Sequence, residues 1–187
     1  MEKSCEQYLD IPEAIGLDGI DLEKFIIASY IIKRPKGQNV NYLSRFAAIE
    51  QSTGTWVRVP AETAEVRKNH VARVLGVYEL PMYEYIIPKD VKERTYFVQI
   101  GFPVVNIKGM GTPMLLTTVI GNISITNGLK LVDLAFPKAW LEDFKGPKFG
   151  IDGIRKDLKI PERPLLNNMV KPCTGHTAEV ADRKSVV

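Results

Sequence analysis

Histidine and cysteine are scarce in this sequence, with two of each in 187 residues. Two histidines argue against a His-built metal site, and no HExxH, CxxC or GxxxxGK[ST] run occurs. Cys5 and Cys173 sit at opposite ends of the chain. They form no disulfide framework, and reduced thiols in a cytoplasm are expected. His176 lies three residues after Cys173, but a lone C-x-x-H without a second pair does not make a metal site. Charge of one sign is also lacking. The net charge is +3, and Lys and Arg are scattered without forming a stripe, which argues against nucleic acid as a partner. Long apolar runs are missing too. "FIIASYII" and "MLLTTVIG" fall far short of the roughly 20 residues that span a bilayer. The opening "MEKSCEQYLD" is polar and does not read as a secretory leader. Internal repeats and low-complexity segments are absent.

What is present is an ordinary globular composition, 45% hydrophobic and 25% charged. "FIIASYIIKRP", residues 25–35, is β-branched and apolar and closes on Pro35, as a buried strand does. Asn39 is placed to cap a helix whose apolar positions are Val40, Leu43, Phe46, Ala47 and Ile49. "TWVRVP" alternates and predicts a strand, and a short polar helix follows in "AETAEVRKNH". "VARVLGVYEL" with "YEYIIP" predicts a long or bent strand, and "TYFVQIGFPVV" another. Thr112 and Pro113 mark the start of a helix with Leu116, Val119, Ile120 and Ile123 on its apolar face. "LKLVDLAF" predicts a further strand. The order β-α-β-(short α)-β-β-α-β is that of an α+β, ferredoxin-like domain. The tail changes character. Short helices joined by Gly and Pro lead to "LLNNMVKP", which reads as a new buried strand without neighbours, and then to the start of a helix.

Three segments together resemble the large chain of ribulose-bisphosphate carboxylase (RuBisCO) and its RuBisCO-like relatives. They are "EQSTGTW", "TTVIGNISITNGLKLVDLAFP" and "FKGPKFGIDGIRKDLKIPERPLLNNMVKP". The last carries the family's GP-x-x-GI turn and the RPLL entry to a barrel. The resemblance implies an N-terminal arm over 1–24, a ferredoxin-like domain over 25–150, and a linker helix with the first strand of a truncated (β/α)8 barrel over 151–187. A barrel needs on the order of 250 residues, so the chain is expected to be an N-terminal portion, inactive alone.

The family implies roles as well. The turn from Glu50 to Trp56 would cover the barrel mouth of a partner subunit in a homodimer. Thr55 and Trp56 would hold a phosphate of a ribulose-type sugar, and Glu50 would pair with a lysine on a barrel loop. Asn122 would touch the metal and substrate oxygens, and Lys171 would be the general acid or base. The chemistry suits these residue types. Small hydroxyls and uncovered backbone N–H groups suit a phosphate, and a desolvated lysine near a divalent cation can titrate near neutrality. Intact relatives use Mg2+, with ligands on barrel strands beyond this chain. Without the resemblance, Glu50 reads as a solvated charge, Trp56 as core, and Asn122 as a helix C-cap.

The match departs from true carboxylases. Cys173 stands where they carry a second lysine, and Met169 where they carry a threonine. Both changes favour the RuBisCO-like branch, whose members enolise or isomerise sulfur-containing sugar phosphates in methionine salvage. Asn122 points the other way, because the salvage enolases carry a lysine there. Two other readings stay open: a stand-alone ferredoxin-like binding module, and the remnant of a decayed carboxylase gene.

Overall fold

The computed structural model describes residues 19–56, 59, 62–81, 86–126 and 128–165. The chain divides into two compact units, Met1–Phe144 and Lys145–Val187.

In the first unit, β1 spans Phe25–Pro35 and α1 Val40–Glu50. A short helix α2, Ala64–His70, leads into β2, Arg73–Leu80, and β3, Glu93–Pro103. After a 3₁₀ turn at Val104–Asn106 come α3, Gly111–Thr126, and β4, Lys130–Ala135. A single-turn helix α4, Lys138–Leu141, ends the unit. The four strands form one sheet in the order β2-β3-β1-β4, and every neighbouring pair is antiparallel. This is the α+β, ferredoxin-like arrangement the element order predicts.

Strand periodicity builds the core. Ile26, Ala28, Tyr30 and Ile32 of β1 turn the same way, as do Val98, Ile100 and Phe102 opposite them on β3. Val40, Ala47 and Ala48 of α1 and Leu115, Val119 and Ile123 of α3 join the same cluster. The Tyr30 hydroxyl crosses this core to donate to the Val119 carbonyl at 2.8 Å. Burial pushes the Tyr30 phenol well above its ordinary pKa.

Local chemistry sets the boundaries. Asn39 caps α1 by accepting from the Tyr42 N–H at 3.0 Å. Thr63 caps α2 in the same way, accepting from Val66. Pro81 lacks an N–H, so β2 ends at Leu80. The helix expected with Thr112 as its cap and Pro113 as its first residue begins two residues earlier, at Gly111.

Two strand expectations are corrected. Thr55 and Trp56 belong to no strand, because each is engaged elsewhere: the Thr55 hydroxyl with Glu62, the Trp56 ring with Phe46. Ile86–Pro88 do not extend β2. Val59 is likewise in no strand; Val57, Arg58, Pro60 and Tyr83–Tyr85, and the strand expected at Leu165–Val170 apart from Leu165, lie outside the described residues. Leu165 itself is in no strand.

In the second unit, α5 spans Gly150–Asp157. Its end is fixed by Arg155, whose Nη1 donates to the carbonyls of Ile160, Pro161 and Arg163 at 3.2 Å each. Among the described residues, no helix is long and apolar enough to cross a membrane.

Candidate functional site

The turn after α1 is built by its own backbone. The N–H groups of Ser52 and Gly54 both donate to the Ile49 carbonyl, at 3.1 and 2.8 Å, and the Ser52 hydroxyl donates to Ala48 at 2.7 Å. Gly54 has φ +69, the left-handed region that glycine enters without steric cost. The chain thereby reverses at the end of α1 and presents Thr55 and Trp56 together.

Each of these two side chains is anchored. The Trp56 ring stacks on Phe46 of α1, with centroids 4.9 Å apart and planes 19° apart, yet it remains 36% exposed. The Thr55 hydroxyl donates to Glu62 Oε2 at 2.8 Å. The same oxygen receives Arg67 Nη2 at 3.1 Å. Glu62 and Arg67 are almost wholly buried, with side chains 5% and 2% exposed. Among the described residues, Glu62 Oε1, Arg67 Nε, Arg67 Nη1 and the Thr53 hydroxyl have no partner. A buried ion pair therefore holds the hydroxyl of the turn.

This arrangement has a chemical consequence. The Thr55 proton is committed to Glu62, so a phosphate would have to be met by backbone N–H groups. Among the described residues, no acceptor takes the N–H of Thr55 or Trp56. That suits an anion held by main-chain donors.

Asn122 is brought to this turn through Gln51, the residue after Glu50. Helix α3 is broken at Gly121, which has non-helical angles of φ −41 and ψ −138. Helical spacing would pair the carbonyls of Thr117 and Thr118 with residues 121 and 122, at the break. Turned so that its amide nitrogen faces them, Gln51 donates to both carbonyls, at 3.1 Å each. The approach is close: a Cβ on residue 121 would lie 3.0 Å from that same end of the Gln51 amide. Asn122 stands exposed just past the break.

Of the five residues singled out in the sequence, Glu50, Thr55 and Trp56 therefore share one turn, and Gln51 links that turn to the segment carrying Asn122. Glu50 ends α1 half-buried, and it pairs with no cation among the described residues. Lys171 lies outside the described residues. Sequence reasoning missed Gln51, Glu62 and Arg67. Nothing in the pattern marks Arg67, which sits in a polar-looking helix yet is 1% exposed. Among the described residues, no group of three His, Cys, Asp or Glu side chains could hold a metal ion. These residues do not fit a Mg2+ site, and no chemical step is assigned to one here.

Comparison with known proteins places this geometry. A RuBisCO-like protein of Archaeoglobus fulgidus is 54% identical over 161 residues, covering 86% of this chain and 36% of that protein. A 2,3-diketo-5-methylthiopentyl-1-phosphate enolase of Bacillus cereus is 35% identical over 153 residues, covering 80% of this chain and 36% of the enzyme. The dimeric archaeal RuBisCO of Hyperthermus butylicus superposes with a TM-score of 0.68 at 26% identity, covering 90% of this chain and 37% of that one. The chain thus spans little more than a third of the length of these relatives. The model of the ribulose bisphosphate carboxylase large chain, N-terminal domain, matches residues 19–140, the stretch that holds the sheet, the Glu50–Trp56 turn and the broken helix, and the chain belongs to that family.

Proposed function

We propose that this chain contributes a phosphate-holding turn to a RuBisCO-like enzyme that enolises or isomerises a phosphorylated ribulose or its sulfur analogue. The observation that carries the reading is the Glu50–Trp56 turn, fixed by the buried Glu62–Arg67 pair and joined through Gln51 to the break before Asn122. In this reading the N–H groups of Thr55 and Trp56 bind the phosphate, and the Trp56 ring excludes water from one side of it. Glu50 meets a lysine of the partner subunit, Asn122 orients substrate oxygens, and Lys171 moves the proton. Residues 1–24 form the arm, 25–150 the domain, and 151–187 the entry to a barrel. The active form is a homodimer, a reading supported by the dimeric archaeal RuBisCO of Hyperthermus butylicus. In this reading a Mg2+ ion would be held by residues outside this chain. On this reading the 187-residue chain alone has no turnover.

The test is a chimera in which this chain replaces the matching N-terminal third of the Archaeoglobus fulgidus relative. Solvent-deuterium exchange into phosphorylated and sulfur-containing ribuloses is followed, with CO2 fixation as the control. The expected result is exchange whose KM rises at least tenfold in Thr55→Pro, which removes the residue's N–H, and less in Thr55→Ala, which keeps it. Exchange unaffected by Thr55→Pro would overturn the assignment of the turn. Turnover by the isolated chain would overturn its dependence on a barrel.

A further inference from the structure

Away from that turn, a cavity of about 670 Å³ opens in the first unit beside the start of β1 and the end of β3. It shares no lining residue with the Glu50–Trp56 turn or with Asn122. Besides Lys24, just before β1, three cations line it from three separate elements: Lys68 of α2, Arg73 at the start of β2, and Lys108 after the 3₁₀ turn. None of these three pairs with a carboxylate among the described residues. Arg73 Nε is buried and has no hydrogen-bond partner among the described residues.

The two acids on the same wall are already engaged. Asp21 accepts from the Glu23 N–H at 3.2 Å and sits 3.8 Å from Lys24, and Glu23 accepts from the Lys138 N–H at 3.2 Å. The frame is also tied. His70 Nδ1 and Asn106 Oδ1 are 2.6 Å apart, and Asn106 Nδ2 donates to the His70 carbonyl at 2.8 Å. That double link fixes α2, and with it Lys68, against the turn that precedes Lys108. The rest of the lining is largely apolar, with Ile20, Phe25, Pro103 and Val104. A concave, mostly apolar site of this size with a few convergent polar groups suits a small ligand. Four cations against two carboxylates leave the lining net positive.

We propose that this cavity binds a small organic anion, a phosphate or carboxylate carried on a short apolar body. Lys68, Arg73 and Lys108 would meet the anionic end, and Phe25 and Val104 the body. The test is titration of the isotopically labelled 187-residue chain, followed by NMR, with hexyl phosphate, hexanoate, inorganic phosphate and uncharged hexyl glucoside. Saturable shifts at His70, Val104 and Val105 are expected with hexyl phosphate or hexanoate, and the stronger of the two identifies the head group. Inorganic phosphate and hexyl glucoside should each bind at least tenfold more weakly. Lys68→Ala combined with Lys108→Ala should weaken binding at least tenfold without moving the thermal midpoint, since both side chains are exposed. Raising the salt should weaken it as well. The proposal is overturned if hexyl glucoside binds as tightly as both anions, if the double variant binds like the parent, or if no ligand shifts these residues. Lys68→Gln with Lys108→Gln serves as a second pair, and parental binding by it would overturn the proposal equally.

Discussion

Removing Arg67 should damage this protein more than removing Arg67 and Glu62 together. The two side chains meet at 3.1 Å with almost no exposure, and Glu62 also receives the Thr55 hydroxyl. In Arg67→Met the Glu62 carboxylate stays buried with only a neutral donor, and breaking one side of such a pair costs about 3–5 kcal/mol. Glu62→Leu strands a guanidinium in the same place, with a cost in the same range of about 3–5 kcal/mol. Among the described residues, the native pair already carries three unpartnered polar atoms, Glu62 Oε1, Arg67 Nε and Arg67 Nη1. Each buried orphan of this kind costs about 1–3 kcal/mol, and the double apolar replacement removes all three. The double variant is therefore expected to be at least about 2 kcal/mol more stable than the sum of the single effects. Urea titration of the four proteins measures the cycle, provided each unfolds in one transition. Hydrogen exchange at Gly54 gives an independent reading, and it should accelerate most in Glu62→Leu, where Thr55 loses its acceptor. Additivity within about 0.5 kcal/mol would refute the buried-pair account. So would an Arg67→Met cost below about 1 kcal/mol, the range of an exposed ion pair.

Three further outcomes follow from the same geometry. Tyr30→Phe should cost about 1–3 kcal/mol, because the Val119 carbonyl loses its buried donor. Burial raises the Tyr30 phenol above the ordinary 10.0, so the unfolded chain loses this proton first. The contribution is full below about pH 10 and falls as pH rises beyond it. Melts from pH 8 to 11 should therefore show a steeper alkaline loss in the parent than in Tyr30→Phe. Gly54→Ala should cost about 1–2 kcal/mol, from its φ of +69 and not from a clash, since the nearest atom to the added Cβ is 4.0 Å away. A thermal midpoint equal to the parent's would contradict that. Gln51→Leu removes the amide that serves Thr117 and Thr118, at about 1–3 kcal/mol. It should raise exchange around Gly121 in α3 more than anywhere in the sheet, and an equal rise in both would contradict the link.

The fold was legible where one physical signal acted alone. The β-branched, apolar runs at 25–35 and 95–105 gave both central strands, observed at Phe25–Pro35 and Glu93–Pro103, and Asn39 marked the start of α1 through its cap. "TWVRVP" misled at its first two residues because the segment alternates, yet Thr55 and Trp56 spend their side chains on Glu62 and Phe46. Period-2 patterning registers apolar spacing and cannot see a hydrogen bond to a residue seven positions on. The site was half legible. Hydroxyls and glycine next to a Trp flagged the turn, while Arg67 hid in a polar segment, because a charged residue is read as solvated unless its partner is known.

What the sequence determined by itself was local: strand and helix periods, caps, the glycine at the turn, and a composition without a spanning segment or a histidine cluster. What the tertiary structure decided was which distant residues meet. Glu62 and Arg67 became a buried pair, Gln51 reached the carbonyls at the break in α3, and Lys68, Arg73 and Lys108 came to line one cavity. The physical reason is the same in each case. Burial and charge pairing depend on neighbours that the sheet order β2-β3-β1-β4 supplies, and no window of consecutive residues contains them.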